Sequence, residues 1–324
     1  MAIRTELTER FGLKYPIFLA PMGTISGGRL AAAVSNAGAL GMVGGGYGDP
    51  AWMRSELSVA ASESKRPWGV GLITWHATRE IVELALQYKP DVFMLSFGDP
   101  RPYVSTIKAA GCALVCQVQD VVDARAVKEA GADIIVAQGT EAGGHGASRA
   151  TLPLVPAVVD AAKPTPVLAA GGIVEGRGLA AALMLGAEGV LMGTRFYAST
   201  EASGHERAKE RIVAAGGGNT QRTRVFDLVR GYEWPEAYTG RALRNTFLER
   251  WDGREKDLAA ALDAELPAFQ TAEREGNVDT AMVWAGEAVD LISNILPAAE
   301  LVARIGAEAE ACLRYGSELT DASE

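Results

Sequence analysis

The sequence predicts an α/β protein, a (β/α)8 TIM barrel with an inserted helical cap domain, and three observations carry that prediction. Eight short apolar runs recur between residues 15 and 196 of the 324-residue chain, alanine-rich amphipathic segments separate them, and four of the repeats place a glycine at the same junction. In order, the runs are "YPIFLAPM" (15–22), "ALGMVGGG" (39–46), "PWGVGLIT" (67–74), "DVFMLSFG" (91–98), "CALVCQVQ" (112–119), "DIIVAQGT" (133–140), "PVLAAGGI" (166–173) and "GVLMGTRF" (189–196). They are too short to cross a membrane and too apolar to have one wet face, so they read as parallel strands covered on both sides. Segments such as "VVDARAVKEAG" and "GRGLAAALMLGA" supply the helices between them. The junctions "NAGALGMV", "AAGCALVC", "EAGADIIV" and "MLGAEGVL" set Gly38, Gly111, Gly131 and Gly186 between helix and strand. The chain often turns left-handed there, which glycine tolerates. Eight β-then-α units with tight turns make a barrel. A doubly wound open sheet is the alternative, but "APMGTISGG" after the first run lacks a dinucleotide fingerprint.

The rhythm stops near residue 205. "AAGGGNTQ" (214–221) reads as a connection, and a segment dense in aromatics follows: Phe226, Tyr232, Trp234, Tyr238, Phe247 and Trp251. Helical patterns such as "KDLAAALDAELPAFQTAE" come next, and the last stretch, from "WAGEAVDLI" onward, reads as helices that pack back onto the barrel. The predicted division is a barrel of residues 1–212 and 280–324 and a helical cap of 213–279. The aromatics form the core of that cap, with one or two rings available to wall a substrate pocket.

Composition narrows the function classes. With 31 Lys and Arg against 40 Asp and Glu the net charge is −9, and no basic run could track a phosphate backbone, so no nucleic-acid partner is expected. No apolar stretch is long enough for a membrane span, and the N-terminal "MAIRTELTERFGLKYP" lacks the apolar centre of a secretory signal. Cys112, Cys116 and Cys312 lack the spacing of a zinc site and read as small buried hydrophobes in a reducing cytoplasm, so no metal is expected.

In a barrel of this kind the site lies at the C-terminal ends of the strands. The stretch "AQGTEAGGHGASRATLPL" (137–154) falls there, directly after the sixth run, and holds His145, one of three histidines in the chain. Barrels often bind phosphate with the loops after strands seven and eight. Here those loops carry Gly171 and Gly172 in "AAGGIVEGRG", and Gly193 and Thr194 in "MGTRF". The glycines can offer bare amides, Thr194 a hydroxyl, and a helix beginning near Gly176–Gly178 its positive end. Together they predict a phosphate-bearing ligand; the competing reading is that the glycines only make turns. His76 follows the third run and can reach the same rim, whereas His205 opens a charged helix and reads as solvated. Glu141 either orients His145 or, the favoured reading, bonds to amides of its own loop. Arg241, Arg244 and Asn245 either fix the cap or meet the substrate.

"YPIFLAPM", "TEAGGHGA", "LAAGGIVEGRGLAAALMLGAEGVLMGTRF", "YTGRALRN" and "WAGEAVDLI" together resemble the nitronate monooxygenase family, formerly called 2-nitropropane dioxygenases, over nearly the whole chain and in order. The resemblance implies an FMN-binding barrel that oxidises nitronates or nitroalkanes with O2 to a carbonyl compound and nitrite, with the loop histidine, His145, as base. It places Pro21, Met22 and Gly23 along the flavin ring, Gln138, Gly143 and Gly144 on its other side, and Gly171, Gly172, Gly193 and Thr194 at the FMN phosphate. Gly71 and Gln117 also fall at the flavin, where relatives often carry asparagine and lysine; Gln117 and Gln119 keep hydrogen-bonding ability. A histidine suits the chemistry because a base with a pKa near neutrality is unprotonated at pH 7 and still accepts the acidic α-proton of a nitroalkane. The alternative is an NAD(P)H-dependent FMN reductase acting on quinones or enoyl thioesters. The partners implied are a small-molecule substrate and O2, and a homodimer is compatible with this reading.

Overall fold

The computed structural model describes residues 3–319. Eight parallel strands form the barrel wall: β1 (Ile17–Leu19), β2 (Gly41–Gly46), β3 (Trp68–Ile73), β4 (Val92–Ser96), β5 (Ala113–Val118), β6 (Ile134–Gln138), β8 (Val167–Ala170) and β9 (Gly189–Met192). Each pairs with the next, β1 pairs with β9, and a parallel bridge from Phe18 to Leu40 closes the ring between β1 and the start of β2. All eight apolar runs therefore become wall strands.

Side chains of these strands alternate between two cores. Phe18, Met42, Met94, Val115, Val136, Leu168 and Leu191 point inward, while Ile17, Phe93, Leu114, Cys116, Ile135 and Val190 pack outward against the helices. Strands buried on both faces have no reason to alternate polar and apolar residues, which is why the sequence shows unbroken runs. The helix Glu6–Phe11 stoppers the N-terminal end; Thr5 and Thr8 cap it reciprocally, and Phe11 meets Phe18 edge-on at 6.1 Å. The outer helices start where the sequence supplies caps, with Asp49, Thr78 and Asp120 accepting amide hydrogen bonds at three of them. Gly38, Gly111, Gly131 and Gly186 all have positive φ, between 80° and 99°.

The inserted segment is less purely helical than its sequence predicts. Helices Val225–Arg230, Thr246–Trp251, Glu255–Ala260 and Leu262–Glu275 enclose a core of Phe226, Phe247, Trp251 and Phe269. Two further strands, β10 (Thr220–Thr223) and β11 (Thr239–Leu243), form an antiparallel pair. β11 also pairs with β7 (Gly144–Gly146), a three-residue strand in the loop after β6. The cap is thus stitched to the barrel by a sheet whose third strand contains His145, opposite Gly240. The chain then returns through residues 280–297 to the helix Ala298–Glu318, which lies on the outside of the barrel against Gly176–Met184.

Candidate active site

The C-terminal rim of the barrel and the underside of the cap enclose a cavity of about 780 Å³. Most of the rim residues singled out from the sequence line it: Pro21, Met22 and Gly23 after β1, Gly71 on β3, Gln117 on β5, Gln138 at the end of β6, and Gly143, Gly144 and His145 in the following loop. Gly171 and Gly172 after β8, and Gly193 and Thr194 after β9, complete the ring.

Several of these positions admit only glycine. Gly171 and Gly172 have φ of 103° and 70°, the left-handed region in which a β-carbon is strained. At Gly143 an added β-carbon would stand 2.7 Å from the backbone of Ala285 and Gly286, so the histidine loop lies directly on the returning chain. At Gly71 it would stand 2.6 Å from Pro21 Cβ, so the Pro21 ring fills the space that a side chain on β3 would need. The Thr194 hydroxyl, in the cavity lining, accepts the Gly286 amide at 3.0 Å. The expected contribution of the helix Gly176–Met184 is corrected: its Gly176 amide donates to the Glu308 carboxylate at 3.1 Å, so that end serves the packing of the C-terminal helix.

Gln138 fastens the floor to the loop. Its Oε1 accepts from Gln117 Nε2 at 3.1 Å and Gln119 Nε2 at 2.8 Å, and its Nε2 donates to the His145 carbonyl at 2.9 Å. Gln117 is therefore part of a neutral amide network. Glu141 accepts from the Thr151 amide and hydroxyl, as favoured from sequence, and makes no contact with the imidazole.

His145 is held on three sides. Its Nε2 lies 2.9 Å from Asp227 Oδ2, and the two side chains are only 9% and 4% exposed. Trp234 stacks flat on the ring, with centroids 3.5 Å apart and planes 4° from parallel. Trp284 leans on it at 5.2 Å and Phe97 meets it edge-on at 6.4 Å. Burial lowers the imidazole pKa below its ordinary value; the hydrogen bond and charge of Asp227 oppose that shift, and Arg230 and Arg222 add to it. The net shift favours the neutral imidazole, the form that can accept a proton. Phe97, directly after β4, lines the same cavity with φ of 65°, a strained backbone of the sort that clusters at functional sites.

The sequence reading did not assign roles to Asp227 or Trp284, and named Trp234 only among the cap aromatics of which one or two could wall the pocket; Tyr232 and Trp234 line it. The signal for Asp227 is a lone acid inside the apolar run "VFDLV": Val225, Phe226 and Val229 around it are all buried. Of the other candidates, His76 is exposed and bonds through Nδ1 to the Tyr47 carbonyl, away from the cavity lining. His205 reaches the rim but is not simply solvated; it accepts the Arg207 amide as a helix cap and packs on Gly276. Arg241 bonds Thr140, Thr220 and Glu287, and Asn245 caps the helix Thr246–Trp251 while donating to the Val278 and Ala281 carbonyls, so both fix the cap. Arg244 accepts from Arg211 through its own carbonyl.

A closed parallel barrel with a glycine rim, a large cavity under a cap, and one buried histidine–carboxylate pair is the construction of a barrel enzyme working at its strand C-termini. A family model described as nitronate monooxygenase matches residues 4–80 and 73–308. The nitronate monooxygenase of Neurospora crassa is 34% identical, over 95% of this chain and 93% of that protein. A carboxyl-CoA dehydrogenase of Mycobacterium tuberculosis is also 34% identical, over 81% of this chain and 73% of its own. Among solved structures, FabK from Thermotoga maritima gives a TM-score of 0.87 at 32% identity, covering 98% of this chain and 100% of the other. The nitroalkane oxidase from Streptomyces ansochromogenes gives 0.82 at 28% identity, covering 95% and 99%. The chain belongs to the nitronate monooxygenase family and is an oxidoreductase.

Proposed function

We propose that the protein oxidises nitronates, and nitroalkanes after deprotonation, with O2 as oxidant and FMN as cofactor, yielding a carbonyl compound and nitrite. The observation that carries this reading is the buried His145 imidazole, set in the cavity wall with its pKa lowered and its Nε2 engaged by Asp227. FMN fits the residues present. The cavity is of the size that takes such a ligand, the left-handed Gly171–Gly172 pair and the Thr194 hydroxyl suit a phosphate, and the glycine-bared rim lets a flat ring approach the backbone. Gly171, Gly172, Gly193 and Thr194 would hold the phosphate, and Pro21, Met22, Gly23, Gly71, Gln117, Gln138, Gly143 and Gly144 would flank the ring. When bound, FMN supplies the electron acceptor that no side chain can provide.

The protein's own residues do the rest. His145 takes the α-proton of a neutral nitroalkane, giving the nitronate and an imidazolium; Asp227 accepts a hydrogen bond from that imidazolium. Trp234 and Trp284 exclude water from the ring. The cap of residues 213–279 shapes the pocket for substrate, and the three free thiols suit a reducing cytoplasm. A second reading, an NAD(P)H-dependent FMN reductase acting on quinones or enoyl thioesters, draws support from the likeness to a dehydrogenase named for a carboxyl-CoA substrate.

The test begins with the visible spectrum of the purified protein, followed by anaerobic mixing with NADH, NADPH and propyl-nitronate in parallel. Oxidation of the nitronate on admission of O2, without bleaching by either nicotinamide, is the expected result; rapid bleaching by a nicotinamide selects the second reading. With His145→Asn, turnover of neutral nitroalkanes should fall by about 100-fold or more while that of nitronates changes little. In the wild type the base-dependent activity should persist below the ordinary imidazole range as pH falls, because burial lowers the pKa of His145. Equal loss on both substrates would remove the histidine from its role as base.

A further inference from the structure

We propose that Asp227, carried on the cap, is the positioning residue of this site: its carboxylate holds His145 by Nε2, fixes the Nε2–H tautomer, and leaves Nδ1 as the atom that takes the substrate proton. The inference rests on the reading of His145 as base and goes beyond it, since it names the nitrogen and makes a correctly seated cap a condition for proton transfer.

The geometry is a buried contact of 2.9 Å between Nε2 and Oδ2. A carboxylate can only accept, so in the neutral imidazole the hydrogen belongs on Nε2 and the lone pair on Nδ1. The remaining degrees of freedom of the ring are also removed. Its backbone carbonyl is bound by Gln138, its strand β7 pairs with β11, and its face is covered by Trp234, whose Nε1 in turn donates to the Tyr47 hydroxyl at 2.9 Å. A packing role does not explain the acid. The helix Val225–Arg230 buries Val225, Phe226 and Val229, an aspartate among them is 3% exposed, and its Oδ1 has no hydrogen-bond partner among the described residues. A buried oxygen left unpaired costs stability. An acid retained there at that cost is accounted for by the imidazole it holds, and by the imidazolium that forms when the proton arrives.

Among the described residues, Asp227 on the cap is the acid that bears on the imidazole. In the histidine loop, Glu141 is already committed to Thr151. The charged groups facing His145 are Asp227 and Arg230 from the cap helix and Arg222 from β10. Removing the carboxylate leaves burial and two guanidiniums, all of which disfavour the imidazolium. The acid limb of the rate profile should then move to lower pH and the base should weaken.

The test compares full-length, flavin-loaded Asp227→Ala, Asp227→Asn and His145→Asn with the wild type. Two readouts are taken: kcat/KM for nitroethane and for ethyl nitronate across the pH range in which imidazole titrates, and long-range 1H–15N NMR of the imidazoles. The chain has three histidines, so H145N assigns the signal. The wild type should show the Nε2–H tautomer at His145, and D227A a mixture or the other tautomer. Nitroethane turnover in D227A should fall by about tenfold or more, with the ethyl nitronate value and the flavin content nearly unchanged. Should D227A fail to fold, D227N keeps the volume and removes the charge, and the same fall together with an acid limb at lower pH is expected of it. An unchanged tautomer and an unchanged ratio of the two substrates in the Asp227 variants, beside a selective loss in H145N, would overturn the positioning role and leave His145 as base. No selective loss in H145N would overturn both.

Discussion

The surroundings of His145 are set by groups that lie far from it in sequence. Trp234 sets the plane of its ring, Asp227 occupies one nitrogen, and burial keeps it neutral. The lining of the opposite rim is set by packing just as close at hand. Gly71 stands where the family resemblance leads one to expect asparagine, and Pro21 has taken up that volume. Restoring the asparagine should therefore not restore a family feature. Gly71→Asn is expected to cost about 1–3 kcal/mol by forcing Pro21 off the rim, read as a lower urea midpoint of the flavin-free protein; an unchanged midpoint with full FMN binding would show that the ring moves aside freely. Cys112 and Cys116 illustrate the opposite case, residues whose surroundings make them inert. Burial pushes the thiol pKa values up to about 11 and about 12, and Cys112 donates to the Pro90 carbonyl.

Among the elements, those legible in the sequence are the ones that local chemistry specifies. The eight wall strands announce themselves as apolar runs, and the turns before β2, β5, β6 and β9 as glycines with positive φ. The elements that the sequence hid are β7, β10 and β11. "GHG", "TQRT" and "TGRAL" carry no apolar alternation; they pair because the cap folds back over the rim, and backbone groups left under it must find partners. Asn245 is the corresponding fastening on the helical side. It caps the helix Thr246–Trp251 and binds two carbonyls of the returning chain while 6% exposed. Asn245→Ala should cost about 2–4 kcal/mol through the lost cap and two stranded carbonyls. Hydrogen exchange should rise in residues 246–251 and 278–281 first and leave the barrel strands protected; uniform destabilisation would contradict this division of labour.

For the whole molecule, barrel and cap share one cavity, so a ligand that fills it should stabilise both. FMN at about 100 times its Kd should add about 2.7 kcal/mol, seen as one cooperative transition moving to higher temperature by about 4 °C for a chain of this size. Riboflavin, which lacks the phosphate, should give a smaller shift if Gly171, Gly172, Gly193 and Thr194 bind that group. Equal shifts would place the ring, and not the phosphate, as the origin of affinity. The same shared cavity explains why the site is built from every part of the chain: its floor comes from strand ends, its histidine from a loop strand, and the carboxylate that meets the histidine from the insertion.

The sequence by itself determined the barrel, the position of the rim, its glycine loops, the loop histidine and the family, because each depends on short-range patterns: buried runs, left-handed glycines and contiguous motifs. Only the tertiary structure decided what His145 touches. Asp227 lies 82 residues away, and Trp234 stacks on the ring from the same inserted segment. No local pattern records that pairing, since it arises when the cap closes on the barrel and two buried polar groups meet where water is excluded.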